Sequence, residues 1–261
     1  MGGIVVSSIQ CKISDGIALL TIQNPPANAM SSVVFADLVK RLDELENNND
    51  VSVLVVHGEG RFFSAGADIK EFTSFKNAED AAAVARRGQL VFDRVENYSK
   101  PIIAAIHGAA LGGGLEFAMS CHIRVVAENA KLGLPELNLG IIPGFAGTQR
   151  LPRYVGKDKA LVMLATSEPI SGVEAGKIGL ATIVVPEESL LEEANTLATK
   201  IANKSMQSIQ YILQLLSSTR TNSYHEAVEE ESKLFGEIFT TENAKEGISA
   251  FLEKRKPVFN K

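Results

Sequence analysis

Residues 100–150, KPIIAAIHGAALGGGLEFAMSCHIRVVAENAKLGLPELNLGIIPGFAGTQR, decide how the rest of the chain is read. Between Lys100 and Arg124 the one formally charged residue is Glu116; between Lys131 and Arg150 it is Glu136. Each carboxyl sits in apolar, glycine-punctuated sequence, where an ionised group is costly unless it is paired or does acid/base work. Residues 102–106 form a short apolar run rich in β-branched residues between Pro101 and Gly108, which predicts a buried strand. Gly112-Gly113-Gly114 breaks the pattern and lets backbone approach a ligand. Residues 115–120 then read as helix. The free N–H groups at its start, Gly113 included, lie beside Glu116 and suit a developing oxyanion.

Working outward, the same stretch excludes other classes. Its apolar run from Pro101 to Cys121 is long, but the glycines and the central glutamate argue against a membrane span. No Lys-Ser or Lys-Thr follows the glycines, so it is not a phosphate-binding P-loop. The chain has 261 residues, 45% of them hydrophobic and 22% charged, ordinary values for a globular protein. A net charge of -5 argues against general nucleic-acid binding. Cys11 and Cys121 cannot build a disulfide framework and lack metal-site spacing. The segment MGGIVVSSIQCK lacks a basic region followed by a long apolar one, and a cytoplasmic location is the expectation.

Upstream, residues 4–24 read as two strands joined at Ser14-Asp15-Gly16. Ser31 caps a helix with Val34, Leu38, Val39, Leu42 and Leu45 at helical spacing, and residues 52–57 form a β-branched strand. In the following loop the small residues Ala65, Gly66 and Ala67 leave backbone N–H groups open to a ligand. A long helix over 77–97 follows. Downstream of residue 122, strands are predicted at 123–127 and 182–185, with a glycine-rich loop over 140–148 and a helix over 157–166. Ser171 and Glu174 are spaced as a capping box. Helices are predicted at 187–203, 205–219, 223–239 and 241–255. The fold class is an α/β core with a helical C-terminal tail. His57, His107 and His122 stand alone at element ends, where histidines are usually structural.

Three segments together carry a resemblance: SAGADIKEF at 64–72, HGAALGGGLEFAMSCHI at 107–123 and LGLPELNLGIIPGFAGTQRLPR at 132–153. They resemble the crotonase superfamily, and within it the enoyl-CoA hydratases; FLEKRKPVF at 251–259 is similar to that family's ending. The resemblance implies a spiral of ββα units over residues 1–190 and a helical trimerisation region over 191–261, one cooperative unit assembled as a homotrimer or homohexamer. It implies an acyl thioester of coenzyme A as substrate, so coenzyme A enters as part of the substrate and no separate cofactor is needed. By motif position it assigns the oxyanion hole to the N–H groups of Ala67 and Gly113. Ala65, Asp68, Ile69, Lys70, Gly112, Phe251 and Lys254 fall at positions that bind substrate or its CoA portion, the last two often across a subunit boundary. Gly144 matches a glycine whose backbone places the catalytic water.

The glutamates separate the subfamilies. Hydratases carry one in each loop, as Glu116 and Glu136 do here, whereas many isomerases keep only the second. Hydration needs one group to take a proton from water and another to give one to the α-carbon, so the two must differ in protonation. Glu116 is expected to activate the water and Glu136 to donate. The alternatives are an isomerase moving a double bond from β,γ to α,β, and a binding-only homologue. For RNA binding the helix over 31–46 is not basic, with Lys40 and Arg41 set against Asp37, Asp43, Glu44 and Glu46. The chain departs from the commonest pattern at Leu134 and at Phe145, which either limits acyl length or packs in the core. These departures bear on substrate range more than on reaction type.

Overall fold

The computed structural model describes residues 7–259, so the readings at residues 4–6 lie outside the described residues. The chain opens with a hairpin of β1 (Ile9–Ser14) and β2 (Ile17–Ile22), Ile9 facing Ile22. Asp15 and Gly16 both have positive φ, which matches the twist of the hairpin. α1 (Ser32–Glu46) is capped by the Ser31 side chain and buries Val34, Leu38, Leu42 and Leu45. Then come β3 (Val53–Gly58), the one-turn α2 (Ile69–Phe72), the long α3 (Ala78–Glu96), β4 (Ile102–Ile106) and β5 (Ala109–Leu111). α4 (Gly113–Ser120), β6 (Ile123–Ala127), β7 (Lys131–Gly133) and a 3₁₀ turn at Glu136–Leu139 follow.

The second half holds α5 (Gly147–Val155), α6 (Lys157–Thr166), β8 (Ile170–Ser171), α7 (Gly172–Lys177) and β9 (Ile183–Val185). It ends in α8 (Leu190–Ala202), α9 (Met206–Ser218), α10 (Tyr224–Phe239) and α11 (Glu242–Leu252). The main sheet runs β1-β2-β3-β4-β6-β9, parallel except for β1, and β5-β7-β8 form a second, smaller sheet. β3 and β4 lack polar alternation because parallel strands are covered on both faces. On one face Leu54, Ala104 and Val126 pack under α1, α3 and α4. On the other, Val53, Val55, Ile103 and Val125 meet Leu190, Ala194 and Ala198 of α8.

The second sheet makes the spiral. After each main-sheet strand the chain lays a short segment in an outer layer: Met30 after β2, Ser64–Ala67 after β3, β5 after β4, β7 after β6. Parallel bridges join Met30 to Ala67 and Ser64 to Ala110, and β5 pairs with β7. A helix or 3₁₀ turn starts just beyond each segment, at Ser32, Ile69, Gly113 and Glu136. Successive turns of the spiral therefore stack their helix starts, with the free N–H groups those carry, side by side.

Four local readings change. β5, β7 and β8 are too short to show a period. The predicted 140–148 loop ends at Gly147, where α5 begins, and the helix read from 187 starts as a 3₁₀ turn at Glu187–Ser189. Only half of the capping box at Ser171 forms: Ser171 Oγ accepts the Glu174 N–H at 3.2 Å, but the Glu174 carboxylate pairs with Lys159 at 3.2 Å. A complete box caps α10 instead, between Ser223 and Glu226. Among the described residues no helix is long and apolar enough to cross a membrane, and no group of three or more His, Cys, Asp or Glu could hold a metal ion.

Candidate active site

The third turn of the spiral delivers the first carboxyl. Gly112 sits at φ 49°, ψ -126°, a conformation open to glycine, and α4 starts at the next residue. Glu116 lies one turn into that helix and is 1% exposed. Its Oε1 accepts two backbone N–H groups, from Phe145 at 2.8 Å and Gly147 at 2.7 Å. These amides converge because Ala146, between them, takes the left-handed conformation at φ 72°. The loop comes this close because Gly147 has no side chain; a Cβ there would stand 2.9 Å from Glu116 Oε1. Burial drives the Glu116 carboxyl up to about 7, the nearby Glu136 adds to the rise, and the two N–H groups and Arg150 oppose it.

The fourth turn delivers the second carboxyl. Glu136 is the first residue of the 3₁₀ turn, closed by Gly140 at φ 70°. Its Oε2 is buried and has no hydrogen-bond partner, and burial raises its pKa from the ordinary carboxyl value. A Cβ on Gly112 would stand 2.9 Å from Glu136 Oε1, so the glycine that turns the chain into α4 also makes room for the other glutamate.

The two amides named by motif also come together. A Cβ placed on Gly113 would lie 3.3 Å from the Ala67 nitrogen. Among the described residues neither the Ala67 nor the Gly113 N–H donates a backbone hydrogen bond. The neighbouring amides are occupied, contrary to the reading of 65–67 as wholly open. Ala65 donates to Ala27 O at 2.9 Å, Gly66 reaches Ser64 Oγ at 3.5 Å, and Gly112 donates to Gly133 O at 2.9 Å. Two free N–H groups beside one buried and one half-buried carboxyl suit a reaction that builds negative charge on a carbonyl oxygen while protons move nearby.

The other sequence-named residues lie further out. Asp68 caps α2, its Oδ1 accepting the Lys70 N–H at 3.0 Å, while Ile69 and Lys70 are exposed. The Gly144 carbonyl accepts a hydrogen bond from Gln89 Nε2 at 2.9 Å. Phe251 and Lys254, at the end of α11, are exposed. The structure packs Phe145 in the core: its ring meets Phe35 and Phe92 edge-on and fills the space left by Gly88. The same ring comes within 3.1 Å of a Cβ position on Gly113. The histidines are used structurally: His57 pairs with Thr21, His107 with Gly60 O, and His122 Nδ1 accepts the Ile102 N–H.

Sequence reasoning missed the Phe145 and Gly147 amides and Arg150. Backbone donors leave no mark in residue type, but Arg150, a lone charge closing an apolar stretch, was a visible signal.

A spiral of β-β-helix turns with stacked amides, a buried glutamate and a second, half-buried one facing it defines an acyl-CoA enzyme of the crotonase type. The chain belongs to the enoyl-CoA hydratase/isomerase family, whose model matches residues 12–261. It is 58% identical to a probable enoyl-CoA hydratase of Bacillus subtilis strain 168, over 97% of this chain and 99% of the relative. It is 41% identical to the 2,3-dehydroadipyl-CoA hydratase of Escherichia coli K12, over 93% of this chain and 94% of that one. Among solved structures, an enoyl-CoA hydratase from Bacillus anthracis superposes with a TM-score of 0.92 at 33% identity, covering 97% of this chain and 98% of the other.

Proposed function

We propose that this chain is an enoyl-CoA hydratase, a hydro-lyase that adds water across the 2,3 double bond of a 2-enoyl-CoA to give a 3-hydroxyacyl-CoA. The observation that carries the reading is the buried Glu116 carboxyl and the half-buried Glu136, its Oε2 enclosed, next to the unoccupied N–H groups of Ala67 and Gly113. The thioester oxygen accepts those two N–H groups, which draws electron density from the double bond and makes C3 electrophilic. Water between the carboxyls attacks C3 and gives its proton to Glu116. Glu136 delivers its proton to C2, and the proton gained by Glu116 returns to Glu136 before the next cycle.

The direction of this exchange rests on hydrogen bonding. Two N–H donors on Glu116 Oε1 favour its ionised form against the burial that raises it to about 7, while burial also raises Glu136, whose Oε2 has no donor and whose own backbone N–H alone opposes the rise. The Glu136 carboxyl adds to the rise at Glu116.

Asp68, Ile69 and Lys70 at the rim lie where the CoA portion enters, with Ala65 and Gly112 lining the backbone beside it and Gly144 beside the water. Phe251 and Lys254 serve a CoA bound to a neighbouring copy in a homotrimer or homohexamer. The exposed apolar side chains of α9–α11 support that assembly: among the described residues Ile212, Leu216, Phe235, Phe239 and Leu252 are more than half exposed.

The test is the loss of enoyl-thioester absorbance with crotonyl-CoA. Rapid loss that Glu116→Gln and Glu136→Gln each abolish is expected. No loss with crotonyl-CoA or with a longer 2-enoyl-CoA would overturn the reading and turn attention to 3-enoyl-CoA isomerisation.

A further inference from the structure

Arg150 is the largest fully buried side chain among the described residues, and it is 1% exposed. Its guanidinium divides between three acceptors. Nη2 donates to Asp93 Oδ1 at 2.7 Å and Nε to Glu96 Oε2 at 3.0 Å, both on α3, while Nη1 donates to the carbonyl of Phe145 at 2.8 Å. That third bond matters most here. The Phe145 carbonyl begins the peptide unit that leads to Ala146, and the N–H groups on either side of Ala146's left-handed turn, those of Phe145 and Gly147, are the two that hold Glu116 Oε1.

A buried ion pair contributes little net stability compared with an apolar replacement of the same volume. The loop around Ala146 needs a support that fixes orientation: the Phe145 ring anchors one side, but Ala146 and Gly147 are small and the backbone is strained at φ 72°. A planar guanidinium anchored on α3 by two carboxylates supplies it: the fork geometry fixes the third N–H in direction as well as distance.

We infer that Arg150 is a positioning residue for the hydration reaction, holding the 145–147 backbone so that both amides point at Glu116 and keep it the base of the pair. The inference rests on the proposed role of Glu116. Among the described residues, charged groups bear on it from several elements. Glu136 faces Glu116 from the 3₁₀ turn and Arg150 from α5. Asp93 and Glu96 face Arg150 from α3, and Arg153 and Arg220 pair with the other oxygen of Glu96.

The test compares Arg150→Lys, Arg150→Gln and Asp93→Asn with the unaltered enzyme in crotonyl-CoA hydration across pH, together with thermal unfolding. Loss of Arg150 removes a positive charge and loosens two donors, so the Glu116 carboxyl holds its proton to higher pH. The base must be ionised, so activity falls on the acid side and the acid limb of kcat/KM moves to higher pH, by about one unit for Arg150→Gln. KM stays within about threefold while kcat near neutrality falls about tenfold, and much of kcat returns at high pH. Arg150→Lys, which keeps charge without the fork, lies between the two. Asp93 is half exposed, so Asp93→Asn weakens the anchor in a chain that still folds and shifts the limb by less, which keeps the test decisive where Arg150→Gln is unstable.

An acid limb that stays put in all three variants, with activity lost equally at every pH in proportion to unfolding, overturns the positioning role. Glu116→Gln, assayed alongside, separates the two levels. If it retains normal turnover the reading of Glu116 itself falls; if it is inactive while the limb is unmoved, only the inference about Arg150 falls.

Discussion

Glu116 and Glu136 lie on consecutive turns of one spiral, yet they are held in opposite ways. Glu116 sits in a helix, 1% exposed, with two amides donating to one oxygen. Glu136 sits on a short 3₁₀ turn, with one oxygen buried and unpartnered. Each is sheltered by a glycine whose Cβ would reach 2.9 Å from its Oε1, Gly147 for the first and Gly112 for the second. Two carboxyls of equal intrinsic strength are thus made unequal by burial, by the backbone amides around them and by Arg150. Acid/base chemistry on one water needs that asymmetry.

The sharpest way to break the comparison is to neutralise each side. Glu116→Gln and Glu136→Gln should each lower kcat with crotonyl-CoA by about 10²–10⁴-fold, and the double variant should be little worse than the weaker single, because both act on one water. Next come the sheltering glycines. Gly147→Ala should lower kcat about tenfold or more by pushing Glu116 aside. Gly112→Ala should do so for Glu136 and also lower the melting temperature, because Gly112 sits at φ 49°, with a strain cost of about 1 kcal/mol.

A stability measurement sharpens the contrast further. The Glu116 carboxyl is raised in the folded chain to about 7 from an ordinary 4.5. Between those values the folded state holds a proton that the unfolded state releases, so stability falls as pH rises through that window. Glu116→Gln removes the titration. It should be more stable than the parent at pH 8, by on the order of 3 kcal/mol, with the gain vanishing near pH 4. Glu136→Gln should shift in the same direction. Equal stability of parent and Glu116→Gln in urea unfolding at both pH values would remove the claim that burial strains this carboxylate. The smallest effect on chemistry should come from Phe145→Leu, which keeps the donor. Its kcat/KM for crotonyl-CoA should change less than about threefold, while the core loses roughly 1 kcal/mol in thermal unfolding.

How far the sequence could be read follows from what each feature rests on. β3 and β4 were legible because burial on both faces leaves a continuous apolar run, and α1 because its apolar side chains recur at helical spacing. Glu116 and Glu136 stood out as lone charges. The outer layer did not: Ala109–Leu111 and Lys131–Gly133 span three residues each, too few for a period to repeat, and they exist through pairing with segments distant in sequence. The approach of the 145–147 backbone to Glu116 was equally hidden, since an amide donor is the same whatever side chain it carries. α5 was obscured by Gly147 and by Pro152, both poor helix formers.

Phe145 faces two ways, and this has a consequence for how the enzyme can vary. Its ring belongs to the aromatic cluster with Phe35 and Phe92, while its N–H donates to the Glu116 carboxyl. Selection on core shape and selection on chemistry therefore act on different atoms of one residue. Any amino acid except proline keeps the donor, so position 145 can drift, or be randomised in a library, to remodel the space behind the reacting centre without touching the proton-transfer apparatus. Gly147 has no such freedom, because the atom it lacks is the one that would collide with Glu116.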